Sequence, residues 1–184
     1  MVMKKAFMRW LLTACFILFC SSDLFSQLEL SHMLPRRGNK YGLGYGAILK
    51  FAFPSGEADF ITMETGVKLF FEKESTSYGV GYIPVKVGYK YTFNREGTGI
   101  YAEPQLGFNV YGAESYYDNA EGNVDIKFNG VVGGAAFGFL FQPDRAGRQI
   151  DLATYIESFS SKKASGVSIG LRFTYNFTVG GSRY

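Results

Sequence analysis

The sequence predicts an all-β protein, a single antiparallel up-and-down β-barrel of eight strands able to cross a membrane. Three observations predict it. Apolar and polar residues alternate with a period of two along six long segments, a pattern that builds two-faced strands and that a helical period of about 3.6 would scatter around the whole circumference. After residue 26 no apolar run approaches the ~18 residues of a spanning helix, and the other structure that satisfies its backbone in lipid is a closed barrel. The face opposite the apolar one holds Gly42, Gly44, Gly46 and Ala52 on one segment and Gly134, Ala136 and Gly138 on another, small groups that suit a crowded lumen better than water.

The N-terminus reads as a secretory signal peptide. Lys4, Lys5 and Arg9 precede an apolar stretch from Trp10 to Cys20, broken only by Thr13, and Ser21, Ser22 and Asp23 open a more polar segment. Cleavage after Ser26 would leave a barrel domain of residues 27–184, and cleavage after Ser22 is the second choice. Both cysteines, Cys15 and Cys20, fall in the leader, so the mature chain has neither disulfides nor thiolate chemistry.

The strands follow in order. Leu28 to Met33 supplies a short first one. The alternation is then clear in Tyr41, Leu43, Tyr45, Ala47, Leu49, Phe51, Phe53 and in Ile61, Met63, Thr65, Val67, Leu69, Phe71. It continues in Ile83, Val85, Val87, Tyr89, Tyr91, Phe93 and in Ile100, Ala102, Pro104, Leu106, Phe108, Val110. Val131, Gly133, Ala135, Phe137, Phe139, Phe141 make the sixth strand, residues 149–159 a weaker seventh with Ile150, Leu152 and Ile156 on one face, and Val167 to Val179 the last. Turn-forming residues separate them, and the longest connection runs from Gly112 to Asp125.

Composition narrows the function. With 47% apolar and 19% charged residues the chain is neither disordered nor fibrous, and its formal charge of +3, which falls to +1 without the leader, marks no nucleic-acid partner. About six bulky side chains per strand do not fit inside an eight-stranded barrel, so the apolar face belongs to lipid. The competing architecture is a secreted β-sandwich with those faces packed together. In the barrel the lumen receives Lys50, Lys68, Lys86, Lys90 and Arg172 against Glu64, Glu103, Asp151 and Glu157. Such charges persist in a poorly hydrated interior only when paired, and a salt-bridge network plugging the barrel is expected, with a selectivity ring or ligand clamp as the alternative. Tyr101, Tyr111, Phe60 and Phe70 share this face and can fill space opposite the glycines.

Tyr82-Ile83-Pro84-Val85-Lys86-Val87-Gly88-Tyr89-Lys90-Tyr91 and the hairpin to Ile100-Tyr101-Ala102-Glu103-Pro104-Gln105-Leu106-Gly107 resemble the small outer-membrane β-barrel proteins of Gram-negative bacteria, particularly the compact barrels of Bacteroidetes-type genomes. The resemblance covers Gln27 to the C-terminus. It implies signal-peptide-dependent export, residence in the outer membrane among its lipids, and passage through periplasmic chaperones and the barrel-assembly machinery, which reads an aromatic residue closing the last strand. The alternation here ends at Phe177 and Val179, followed by a tail to Tyr184.

Chemistry beyond structure is thinly signalled. His32 is the sole histidine, Ser31 beside it points to the opposite side of a strand, and the residue two after His32 is Leu34, where barrel lipid deacylases keep a serine two residues from the histidine. A His/Cys metal site has no ligands, no cofactor motif is present, and Asp118, Glu121 and Asp125 fail the calcium-loop spacing. Three functions remain in order: a structural or loop-mediated interaction role with a side-chain-filled lumen, a porin-like channel or binder for small hydrophobic molecules, and a lipid-A-modifying enzyme. Tyr116, Tyr117, Asp118, Glu121 and Asp125 in the longest loop are the expected contact for an external ligand.

Overall fold

The computed structural model describes residues 23–34, 41–73, 79–94, 96–118, 122–143, 148–162 and 165–177. They form eight strands: β1 (Asp23–Met33), β2 (Tyr41–Pro54), β3 (Phe60–Glu72), β4 (Gly79–Thr92), β5 (Gly99–Asp118), β6 (Gly122–Leu140), β7 (Ile150–Ser160) and β8 (Ser165–Phe177). Each pairs antiparallel with its sequence neighbours and β8 closes on β1, so the sheet is an up-and-down barrel without edges. Leu24 of β1 stands opposite Phe177 of β8, which puts both ends of the described chain, with the β2–β3, β4–β5 and β6–β7 turns, at one rim. The other four connections lie at the opposite rim.

Backbone hydrogen bonds close the connections at the first rim. Ser55 donates its N–H to the Asp59 carbonyl at 2.9 Å, and Phe141 donates to Ile150 at 2.9 Å. Between β4 and β5 the Asn94 side chain accepts the Glu96 N–H at 3.2 Å, and Gly97 and Gly99 take φ of 68° and 86°, a left-handed geometry that glycine adopts without steric cost.

Apolar residues of the alternating segments face outward. Leu106 is 67% exposed, Leu171 60% and Val131 59%. The glycine-rich strands lie close to side chains of the neighbouring strands: a Cβ at Gly44 would collide with the Phe70 ring of β3, and one at Gly138 with Tyr101 of β5 and Ala153 of β7.

Four expectations need correction. First, β1 begins at Asp23, not Leu28, and its ladder runs from Asp23 opposite Ala52 to His32 opposite Leu43; strand pairing reaches into the segment assigned to the leader. Second, Gly112 to Asp125 is not one long loop. β5 extends to Asp118 and β6 starts at Gly122, with Ser115 opposite Asp125 and Tyr117 opposite Asn123, so the ladder satisfies backbone groups that a loop would leave to water. Third, Tyr41 points inward although it opens an outward series. The β2–β3 register sets Gly42 and Leu43 against Phe71 alone, and this bulge reverses the face.

Fourth, Tyr111 is 47% exposed on the outer wall, not in the lumen. Pro84 has no N–H to give the ladder, and the β4 register steps from Ile83 opposite Tyr111 to Pro84 opposite Asn109, leaving Val110 unmatched. Val110 and Tyr111 consequently both face out, and every residue of β5 beyond them has the opposite parity from a regular strand. Asn109, just before the bulge, is buried and its amide nitrogen and oxygen have no partner among the described residues.

Candidate functional site

The lumen is the place where chemistry-bearing groups converge. At the loop rim it is filled by apolar side chains, among them Met33, Tyr41, Phe70, Val132 and Phe159. Phe70 stacks on Tyr82 at 6.1 Å, Tyr82 meets Phe159 at 4.9 Å, and Phe159 stacks on Phe128 at 5.7 Å. This aromatic chain is a lid over the polar layer. Tyr41, turned inward by its bulge, donates its hydroxyl to Glu114 Oε1 at 2.7 Å. At the turn rim Tyr101, Ala136, Leu140, Ala153 and Tyr155 form a second apolar layer.

Between the layers lies a closed circuit of alternating charge. Lys50 Nζ bridges Glu64 at 3.0 Å and Glu103 at 2.6 Å. Lys86 joins Glu64 at 3.0 Å to Glu157 at 2.7 Å, and Lys68 joins Glu157 at 2.8 Å to Glu29 at 2.7 Å. Arg172 completes it, with Nη2 2.9 Å from Glu29 and Nη1 3.7 Å from Glu103, and braces it across the middle at 3.3 Å from Glu64. Neutral donors fill remaining lone pairs: Tyr82 on Glu157 at 2.9 Å, Thr62 on Glu103 at 2.6 Å and Gln105 on Glu64 at 2.7 Å. Such satisfaction is what makes buried charge tolerable.

Every strand but β6 contributes a charge to this circuit. β6 turns Gly134, Ala136 and Gly138 toward it instead, and a Cβ at Gly134 or Gly138 would meet atoms of the neighbouring strands. Lys90 and Asp151 pair separately at 2.7 Å toward the turn rim, where the ammonium sits 4.1 Å from the Tyr101 ring centre and the Tyr101 hydroxyl donates to Asp151 at 2.7 Å.

The nine charged residues that sequence assigned to the lumen, Lys50, Glu64, Lys68, Lys86, Lys90, Glu103, Asp151, Glu157 and Arg172, are all buried inside it. The sequence reading missed Glu29, which supplies the fifth anion and makes the buried set five against five among the described residues. Its signal was available: Leu28 and Leu30 flank it on the outer face, and in a strand the residue between two outward-facing leucines points inward.

Of the expected contact residues, Tyr116, Tyr117 and Asp118 lie on β5 and Asp125 on β6, while Glu121 falls outside the described residues. His32 is exposed on the outer face and Ser31 is buried on the inner one, so the two cannot act as a pair. No group of three or more metal-ligating side chains is assembled among the described residues.

A barrel of eight antiparallel strands with a neutral, side-chain-filled interior can now be set beside known structures. It superposes on the attachment invasion locus protein Ail of Yersinia pestis with a TM-score of 0.60 at 16% identity, over 85% of this chain and 97% of that one. The fold is that of small outer-membrane barrels. The N-terminal β-barrel domain of OprF from Pseudomonas aeruginosa gives 0.58 at 10% identity over 85% and 99%, and the Neisserial surface protein NspA gives 0.59 at 6% over 86% and 97%. No protein-family model matches the chain, and no curated protein matches it by sequence. At these identities the likeness concerns architecture alone.

Proposed function

We propose that this protein is a small integral outer-membrane barrel of a Gram-negative bacterium that acts as a sealed scaffold and meets external ligands at its loop rim. The observation that carries the reading is the combination of an apolar outer wall with a closed, electroneutral ion-pair circuit inside. A water-soluble protein would not leave Leu28, Leu43, Leu106, Phe137 and Leu171 about half exposed or more around its girth, whereas lipid covers them at no cost. Tyr89, Tyr91 and Phe93, with Phe139 and Phe141, crowd the outer wall near the turn rim, as aromatic girdles do at a membrane boundary.

The conduit reading asks for continuous free space along the axis. Two apolar layers and the circuit between them occupy that axis, which favours the sealed scaffold. Recognition then belongs to the loop rim, where β5 and β6 project as a hairpin bearing Tyr116, Tyr117, Asp118 and Asp125. Ail, a neighbour in fold, is known in complex with the heparin analogue sucrose octasulfate, an example of an external ligand held by a barrel of this architecture.

Export requires a leader, and cleavage after Ser22 suits the barrel better than cleavage after Ser26, because the β1 ladder already starts at Asp23. N-terminal sequencing of protein extracted from membranes is expected to return Asp23; Gln27 would mean that the first residues of β1 are dispensable.

The reading is tested by topology. An epitope inserted after Gly122 is expected to be labelled on intact cells, and one inserted after Gly97 only after the outer membrane is permeabilised. The protein should fractionate with the outer membrane and migrate faster on a gel when unheated. A soluble protein, or the reverse labelling, would sink the proposal.

A further inference from the structure

The outer wall is not uniform. Across β3, β4 and β5, toward the loop rim, lies a groove of about 350 Å³ that opens sideways from the barrel. Its floor is low because Gly79, Gly81 and Ala113 occupy outward positions where other strands carry Leu, Val or Phe. Leu69 and Phe71 form one bank, and Ile83 with Tyr111 the other. The β5 bulge builds that second bank, since it is the extra residue there that swings Tyr111 out of the lumen series.

At the edge of this groove stands a cation. Ala113 of the floor faces Lys127 of β6 across the ladder, and directly opposed residues of an antiparallel pair project from the same face. Lys127 is exposed, and it has no ion-pair or hydrogen-bond partner among the described residues. An apolar trough that ends beside an exposed ammonium, unpaired among the described residues, on a wall turned to the bilayer near its outer boundary, matches an amphiphile with a negative head.

We infer that the β3–β5 groove holds an acyl chain of a membrane lipid whose phosphate head carries a net negative charge, and that this charge rests against Lys127. This rests on the outer-membrane reading. A juxtamembrane Lys contributes to anionic lipid binding an amount equivalent to about five-fold in affinity, and the groove adds affinity for the chain irrespective of head group. The site makes the barrel selective among its own surrounding lipids, and the bulge is then a device for shaping the wall.

Native mass spectrometry of the protein extracted in detergent tests this, with dioleoyl phosphatidic acid and dioleoyl phosphatidylcholine as the probes. The wild type is expected to retain phosphatidic acid about five-fold more strongly than phosphatidylcholine. Lys127→Gln should abolish that preference while leaving phosphatidylcholine retention unchanged, and Ala113→Phe, which fills the floor, should weaken both lipids. Lys162→Gln, an exposed cation beyond β7, serves as the control and should change neither. Equal retention of the two lipids by the wild type, or a preference that survives Lys127→Gln, overturns the inference. So does undiminished binding by Ala113→Phe; should that variant fail to show heat-modifiable migration, Ser115→Phe at the loop side of the groove replaces it. A wild-type chain that never partitions into membranes would defeat the outer-membrane reading itself, a result distinct from loss of lipid selectivity in a correctly inserted barrel.

Discussion

Replacing Glu103 by glutamine is expected to destabilise the folded barrel by about 3 to 5 kcal/mol, the usual cost of breaking a buried ion pair from one side. Glu103 is fully buried and closes the circuit between Lys50, at 2.6 Å, and Arg172, at 3.7 Å. The variant leaves the described interior with one uncompensated positive charge. Glutamine keeps the volume and can still accept the Thr62 hydroxyl, so the loss isolates charge rather than packing. The double variant Lys50→Met/Glu103→Gln restores neutrality and should be more stable than Glu103→Gln alone, because the remaining Glu64 still has Lys86 and Arg172. Denaturant titration in lipid vesicles, read by gel migration, measures both. Should Glu103→Gln leave stability intact and change single-channel conductance, the lumen is hydrated and the sealed scaffold gives way to the conduit.

Placing arginine at Leu171 should cost about 2 to 4 kcal/mol, the penalty for a cation on the lipid face near the bilayer midplane. Leu171 lies midway along β8, 60% exposed, with Leu30 and Thr154 as its cross-strand neighbours. Among the described residues its cross-strand neighbours on that face carry no negative charge. Three residues on, Thr174 points inward, where its hydroxyl donates to Gln27 at 3.3 Å; Thr174→Ser retains that bond and should be nearly neutral. The same vesicle titration distinguishes them. Equal tolerance at both positions would mean that the apolar wall does not face lipid.

These two expectations come from different kinds of information. The outward position of Leu171 was legible in the strict alternation from Val167 to Phe177, because strand periodicity is a local property of the backbone. The inward position of Glu103, between Ala102 and Pro104 on the outer face, was legible in the same way. Its partners were not. Lys50 lies 53 residues from Glu103 along the chain and Arg172 farther still, and it is the barrel's closure that brings β2, β5 and β8 to a common axis. 

Alternation, the absence of a spanning helix and the small residues opposite the apolar face determined the barrel and pointed nine charges, though not Glu29, into its lumen, since each depends on residue type at fixed spacing along one strand. Only the tertiary structure decided where that spacing slips. The bulges at Gly42–Leu43 and Val110–Tyr111 move Tyr41 in and Tyr111 out, and a register is a relation between two strands that neither carries alone. Pro84 announced a break in the ladder without saying which residue of β5 would be left over. The circuit is likewise a product of closure: Lys68 and Lys86 reach Glu157 across the lumen, and charges spaced irregularly along the sequence pair by distance through an interior too dry to leave any of them alone.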